Sequence, residues 1–398
     1  MRGHCFVNGV EKHVKCAYVG VNGKAQYIMK PPGVIKYGGN IEPLTDHKRS
    51  TSASINESYT IFAGGFIPKS KNDSDLDSGI TKLKTADAYD NKYYVKTTCP
   101  NISNTWRDSM VGLKLSKYAL FIGGSTGGSA TETKYMDAYD DSLVHTSSST
   151  FLTYKTYSSS MSSGSSPVIN DTYAIIPAQS TSQKSIDNKH MMSINTNLTV
   201  SNLKDRPITI DVQCVGHVKD YALFGCGYGF SDRTNVKEKS MIAYNTSLTQ
   251  MILPDMNYPY YSGTKSANAG DSIIFFGDSL SDNTAPIDAY NNNLTKMSIA
   301  PPDYYKKGKF ACAYISGTIK NHAFFGGSNV GYNVGYTSTI YDENLIKLSG
   351  PTVDTWTTWY TNSISNNTHL MVTGGTINES PYAVNTVSSY IMSDGYTP

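Results

Sequence analysis

The stretch Tyr118-Ala-Leu-Phe-Ile-Gly-Gly124, a short apolar run closed by two glycines, decides the reading of this chain because it recurs. Its counterparts are Tyr59-Thr-Ile-Phe-Ala-Gly-Gly65, Tyr221-Ala-Leu-Phe-Gly-Cys-Gly227, Ser272-Ile-Ile-Phe-Phe-Gly-Asp278, His322-Ala-Phe-Phe-Gly-Gly327 and His369-Leu-Met-Val-Thr-Gly-Gly375. Tyr173-Ala-Ile-Ile-Pro-Ala178 is a degenerate copy that fills the one gap, which makes seven. From Gly64 to Gly374 there are six intervals of about 52 residues each.

A second element follows each run: Asp87-Ala-Tyr-Asp90, Asp137-Ala-Tyr-Asp140, His190-Met-Met-Ser-Ile-Asn195, Met241-Ile-Ala-Tyr-Asn245, Ile287-Asp-Ala-Tyr-Asn291, Thr339-Ile-Tyr-Asp342 and Val387-Ser-Ser-Tyr-Ile391. In most copies an Asn or Asp turn and a leucine come next, as at Leu248, Leu294 and Leu345. Asn and Asp tolerate the left-handed backbone of tight turns, so this stretch reads as a hairpin joining the third and fourth strands of a repeat. The apolar run reads as a strand buried on both faces. At its end a side chain would collide with the adjoining repeat, and glycine alone allows the close approach and a positive φ.

Composition agrees. Hydrophobic residues are 39% of the 398 and charged residues 17%, while Gly (33) and Tyr (30) are abundant, a mixture that favours strands and turns over helices. Lys and Arg (34) nearly balance Asp and Glu (32), so the net charge of +2 excludes a strongly electrostatic mode of nucleic-acid binding. No stretch approaches the roughly 18 apolar residues of a membrane helix, so no membrane insertion is expected.

The diglycine followed by a spaced Tyr resembles the kelch-type β-propeller, over roughly residues 34–398. The resemblance implies a single seven-bladed all-β ring. The Trp of the kelch motif is missing after each Tyr, with Leu143, Leu248, Leu294 and Leu345 near its place, so no kelch partner or activity carries over. The seventh repeat has no fourth strand of its own, because only Met392–Pro398 follow its third. The segment Ile35-Lys-Tyr-Gly-Gly-Asn-Ile-Glu-Pro-Leu44 reads as that missing strand, closing the ring with the N-terminus.

Residues 1–33 lie outside the repeat and hold a small duplication, Val7-Asn-Gly-Val-Glu-Lys-His-Val14 and Val21-Asn-Gly-Lys-Ala-Gln-Tyr-Ile28. Asn-Gly between alternating apolar and polar residues is a strong hairpin signal, and a lone hairpin needs a partner surface. The string resembles a short module of tail proteins in phages and prophages of Gram-positive bacteria. That resemblance implies an anchor to other tail or baseplate proteins through Val7, Val10, Tyr18, Val19, Val21 and Tyr27. The start Met1-Arg2-Gly3-His4-Cys5-Phe6 lacks the apolar core of a secretory signal, so the chain is expected to be made in a host cytoplasm and to end in a virion.

Six cysteines without CxxC or regular spacing read as thiols, with no metal module and no cofactor. His322 and His369 occupy the place that Tyr59, Tyr118, Tyr173 and Tyr221 fill in other repeats, which makes them structural. Arg107, Arg206 and Arg233 could meet on one face, but no sialidase-type turn accompanies them, and no catalytic set is assigned. Aromatic residues after the repeat prolines, such as Trp106 and Trp356, read as packing between blades. Tyr228, Phe230 and Arg233 after Gly227, with Tyr332 and Tyr336 after Gly327, fall outside the repeat register and are the candidate ligand contacts, on loops. The expectation is a non-enzymatic phage tail or baseplate component whose propeller meets host cell-wall carbohydrate. A purely architectural virion subunit and a carbohydrate-active propeller enzyme are the alternatives.

Overall fold

The computed structural model describes residues 3–7, 10–14, 17–21, 24–29, 35–46, 52–67, 80–102, 106–107, 109–126, 133–156, 167–178, 186–207, 210–231, 234–257, 264–277, 287–302, 313–330, 333–353, 361–366, 368–374 and 385–392. Within them 3–29, 186–187, 210–213, 226–238, 313–314, 327–337 and 374 are described by backbone alone. Seven four-stranded antiparallel sheets follow one another as the blades of a β-propeller. Blade 1 comprises Ser52–Ile55, Tyr59–Ala63, Ala86–Asp90 and Lys96–Thr97. Blade 2 comprises Val111–Leu115, Tyr118–Ile122, Met136–Tyr139 and His145–Ser148. Blade 3 comprises Val168–Ile169, Tyr173–Pro177, Met191–Asn195 and Val200–Asn202. Blade 4 comprises Ile210–Val218, Tyr221–Ser231, Thr234–Tyr244 and Gln250–Leu253. Blade 5 comprises Lys265–Ala269, Ser272–Phe276, Ile287–Asn291 and Lys296–Met297. Blade 6 comprises Ala313–Ile319, His322–Val330, Asn333–Tyr341 and Lys347–Ser349.

Blade 7 is closed as the sequence predicts. Its first three strands are Thr361–Ser365, His369–Gly374 and Val387–Met392, and its outer strand is Ile35–Ile41 from the N-terminal side. Ile35 faces Met392 and Ile41 faces Val387 across this pair, with a bulge at Gly38 and Gly39. The chain then crosses to blade 1: the Leu44 amide donates to Asn385 O at 2.7 Å, and the Thr45 amide to Asp87 Oδ1 at 3.0 Å. Residues 3–29 give two hairpins where one is expected, Gly3–Val7 with Val10–Val14 and Ala17–Val21 with Lys24–Met29, one around each Asn-Gly. The docking candidates Val7, Val10, Tyr18, Val19, Val21 and Tyr27 all fall on these strands.

The second strand of each blade is its buried centre. Ile273, Ile274, Phe275 and Phe276 are wholly buried in blade 5, each side chain contributing about 1.5–3 kcal/mol. A phenylalanine on that strand meets the tyrosine of the third edge to face: Phe62 with Tyr89, Phe121 with Tyr139, Phe224 with Tyr244, Phe275 with Tyr290 and Phe325 with Tyr341. Each of these tyrosines donates its hydroxyl to a carbonyl on the strip leaving the preceding blade. Glu42, Pro100, Lys204, Pro254 and Ala300 accept at 2.7–2.9 Å. Burial pushes the phenols of Tyr89, Tyr139 and Tyr290 well above their ordinary range and Tyr244 to about 12, so they act as donors.

The hairpin between the third and fourth strands is set by its Asx residue. Asn291 Oδ1 accepts from the amides of Asn293 and Thr295 at 3.0 Å, and Asp140, Asn195, Asn245 and Asp342 do the same in their blades. The leucine that follows sits at positive φ, at Leu143, Leu198, Leu248, Leu294 and Leu345. That conformation costs a branched residue roughly 1 kcal/mol, offset by packing Leu143 and Leu294 into clusters that straddle two blades. At the diglycines, Gly64, Gly65, Gly123 and Gly124 all have positive φ, and a Cβ on Gly64 or Gly123 would run into the carbonyl of Arg107 or Thr156.

The inner strands close on one another through small polar side chains. Ser54 Oγ donates to Leu113 O at 2.6 Å, Ser266 Oγ to Val215 O at 2.7 Å, and Ser363 Oγ to Ser316 O at 2.9 Å. The amides of Asn268, Ser316 and Thr318 are taken up by Thr318 Oγ1, Ser363 Oγ and Ser365 Oγ. Blade 3, whose inner strand is only Val168–Ile169, is held instead by an apolar cluster shared with blades 2 and 4.

Two expectations follow. Deleting residues 1–33 leaves the ring's melting temperature unchanged, whereas deleting 1–46 strips the outer strand of blade 7 and lowers it with aggregation; thermal unfolding of both truncations checks this. Tyr290→Phe removes one blade-to-strip bond and lowers unfolding free energy by about 1 kcal/mol in urea titration, with the fold intact.

Candidate functional site

The antiparallel order gives the ring two faces. One carries the first-to-second turns and the third-to-fourth hairpins; the other carries the second-to-third connections and the blade-to-blade strips. The candidate contacts belong to the second, connection face.

There the structure differs from the loops expected of the sequence. In blade 4 the second and third strands run on for eleven residues each, Tyr221–Ser231 and Thr234–Tyr244, against five in blade 5. The six extra residues make a ribbon of roughly 20 Å. Blade 6 repeats the device with strands of nine residues, His322–Val330 and Asn333–Tyr341. Both ribbons begin at the same place, a bulge between Gly225 and Gly227 in one and between Gly326 and Ser328 in the other. A Cβ on Gly225 would meet Ser240 O at 2.5 Å, so the bulge requires glycine.

Tyr228 and Phe230 therefore lie on a strand, two residues apart. In register beside Tyr228 are Asp211 on the inner strand and Lys237 on the third, and Phe230 pairs with Asn235. Tyr336 lies at the bulge of the blade 6 ribbon. Arg233 and Tyr332 lie outside the described residues. Sequence reasoning missed Asp211 and Lys237, which sit beside Tyr228 only through pairing. The available signal was glycine at every second position, 225, 227 and 229, a strand period.

Other polar candidates are committed to the scaffold. Arg107 is fully buried; its Nη1 donates to Gly123 O at 2.6 Å and its Nη2 pairs with Asp137. Burial pulls this guanidinium below its ordinary value, and Asp137 opposes the shift. The other oxygen of Asp137 lies 2.7 Å from His145 Nε2, whose ring stacks on Tyr139. Asp87 and Asp288, its counterparts in blades 1 and 5, pair with Lys96 at 3.3 Å and Lys296 at 3.1 Å and accept from the amides of Thr45 and Asn257. Arg206 is 4% exposed, so Arg107 and Arg206 offer no guanidinium to a ligand on the face. Trp106 is buried under Lys82, as packing between blades requires, and Trp356 lies outside the described residues.

His322 and His369 start second strands as the repeat predicts. The His322 ring donates to Lys320 O at 2.9 Å. His369 lies against Tyr94 of blade 1, with ring centroids 3.6 Å apart, and burial pushes it down to about 4. The cysteines depart from the expectation of six thiols: Cys99 is free, but Cys214, wholly buried in blade 4, is disulfide-bonded. Among the described residues no group of three His, Cys, Asp or Glu could hold a metal ion, and no helix is long and apolar enough to cross a membrane.

No family model and no curated protein matches the sequence. The solved structure of YjhT is similar at 11% identity, over 87% of this chain and 95% of that one, with a TM-score of 0.48.

The seam between blades 7 and 1 makes stability depend on pH. An exposed histidine titrates near 6.5, so below that pH the unfolded chain takes a proton that His369 in the fold refuses until about 4. Stability therefore falls as pH drops through this window, and His369→Gln flattens the fall; urea midpoints between pH 7 and 4 measure it.

Proposed function

We propose that the protein is a non-enzymatic component of a phage or phage-derived tail or baseplate, a kelch-like propeller that presents its connection face to carbohydrate on a host cell surface. The two ribbons carry this reading. They carry Tyr228 and Phe230 beyond the bulge of blade 4 and set Tyr336 at the bulge of blade 6, outside the register of the repeat. Aromatic residues in register with Lys, Asn and Asp suit sugar, whose apolar face stacks while its hydroxyls take polar partners.

Direction supports the anchor. The strand Ile35–Ile41 begins beside Met392, at the hairpin end of blade 7, so the N-terminal segment leaves the ring on the face opposite the ribbons. Two hairpins with strands of five and six residues are too small to stand alone and suit docking against a larger tail protein through Val7, Val10, Tyr18, Val19, Val21 and Tyr27. The disulfide at Cys214 suits a protein that finishes its work in an oxidising environment.

Replacing Tyr228, Phe230 and Tyr336 together by Ser leaves the melting temperature within a degree or two but lowers adsorption to host cells or cell-wall fragments about tenfold or more, as binding titrations read it. Unchanged adsorption rejects the carbohydrate reading and favours a purely architectural subunit.

A further inference from the structure

We infer that two copies of this chain associate edge to edge through the outer strand of blade 4, Gln250–Leu253. An outer strand presents unpaired amides and carbonyls that template another strand unless charge, a bulge or shortness blunts them. Most outer strands here are blunted. Lys96, His145, Lys296 and Lys347 occupy those of blades 1, 2, 5 and 6, and blade 3 exposes Ser201 and Asn202. Blade 7 exposes Tyr37, but its strand carries Lys36 and the glycine bulge, and the Tyr37 hydroxyl donates to Asn40 at 2.6 Å.

The blade 4 outer strand, four residues like that of blade 2, carries neither a charge nor a bulge. Ile252 is 77% exposed and Met251 37%, and no charge occurs between Met241 and Pro254. The strand is firmly held: Met251, Ile252 and Leu253 pair with Ala243, Ile242 and Met241, and Gln250 Nε2 donates to Asp205 O at 3.1 Å and Tyr244 Oη at 2.8 Å.

The occupant follows from the strand's own pattern. Antiparallel pairing about a two-fold axis at Ile252 sets Ile252 of one copy opposite Ile252 of the other, and Met251 opposite Leu253, with no charge in the contact. Self-pairing of the blade 1, 5, 6 or 7 strands would instead draw a lysine of each copy into the contact. Two sheets would become one of eight strands, with Ile252 set against its own copy. The contact is small, so the dimer is concentration-dependent.

Sedimentation velocity on the full chain tests this. The parent moves toward twice 43.4 kDa as concentration rises. Ile252→Lys raises the dissociation constant about tenfold or more without moving the melting temperature, because that side chain is exposed. Ile346→Lys, at another exposed apolar residue, on the blade 6 hairpin, leaves the dimer intact. A parent that stays monomeric throughout overturns the inference, as does an Ile252→Lys variant that dimerises like the parent or an Ile346→Lys variant that loses the dimer equally. Ribbon variants play no part, so the outcome is separate from the carbohydrate reading.

Discussion

The bond on which the ring depends is a tyrosine hydroxyl given to a backbone carbonyl of the blade before. A strip that crosses between sheets belongs to neither ladder, and its buried carbonyls would be left without donors. Tyr89, Tyr139, Tyr244, Tyr290 and Tyr341 supply those donors while their rings rest on a phenylalanine of their own blade. One side chain thus fixes the spacing within a blade and the angle to its neighbour. The leucine at positive φ completes the joint.

Where the repeat decays, another force takes over. Blade 3 has neither the glycines nor the Tyr-Phe pair, and its two-residue inner strand bears no hydroxyl lacing. Val168, Ile169, Ile175, Ile176 and Met192 merge with blades 2 and 4 into one apolar cluster. At the closing seam the leucine position is Tyr94, whose ring lies tilted against His369 and whose hydroxyl shares a hydrogen bond with Thr368 at 2.8 Å. The strength of that joint follows pH through His369.

Much of this was legible in the sequence, for a physical reason: what repeats must satisfy the same geometry seven times. The diglycines, the Tyr-Asp hairpins and the donated strand at residues 35–41 all announce themselves that way. What stood outside the repeat was harder. The residues after Gly227 read as a loop because the repeat ends its strand at the small pair, yet the strand runs on through a bulge that Gly225 permits. The fates of Arg107 and Asp137 were hidden because partners 30 residues apart are joined only by the turn of a blade. Cys214 gave no spacing by which its oxidation could be read.

The donated strand also decides how the ring would bear tension. Residues 1–34 join it at Ile35 on one face, and the ribbons leave from the other. A pull between Ile35 and the ribbons runs along the axis of Ile35–Ile41, at right angles to its hydrogen bonds with Val387–Met392. The bonds are then sheared together instead of being peeled one after another. A blade completed by the chain's other end, which reads as the weak point of a circle, is in this direction a splice that strengthens with every residue of overlap.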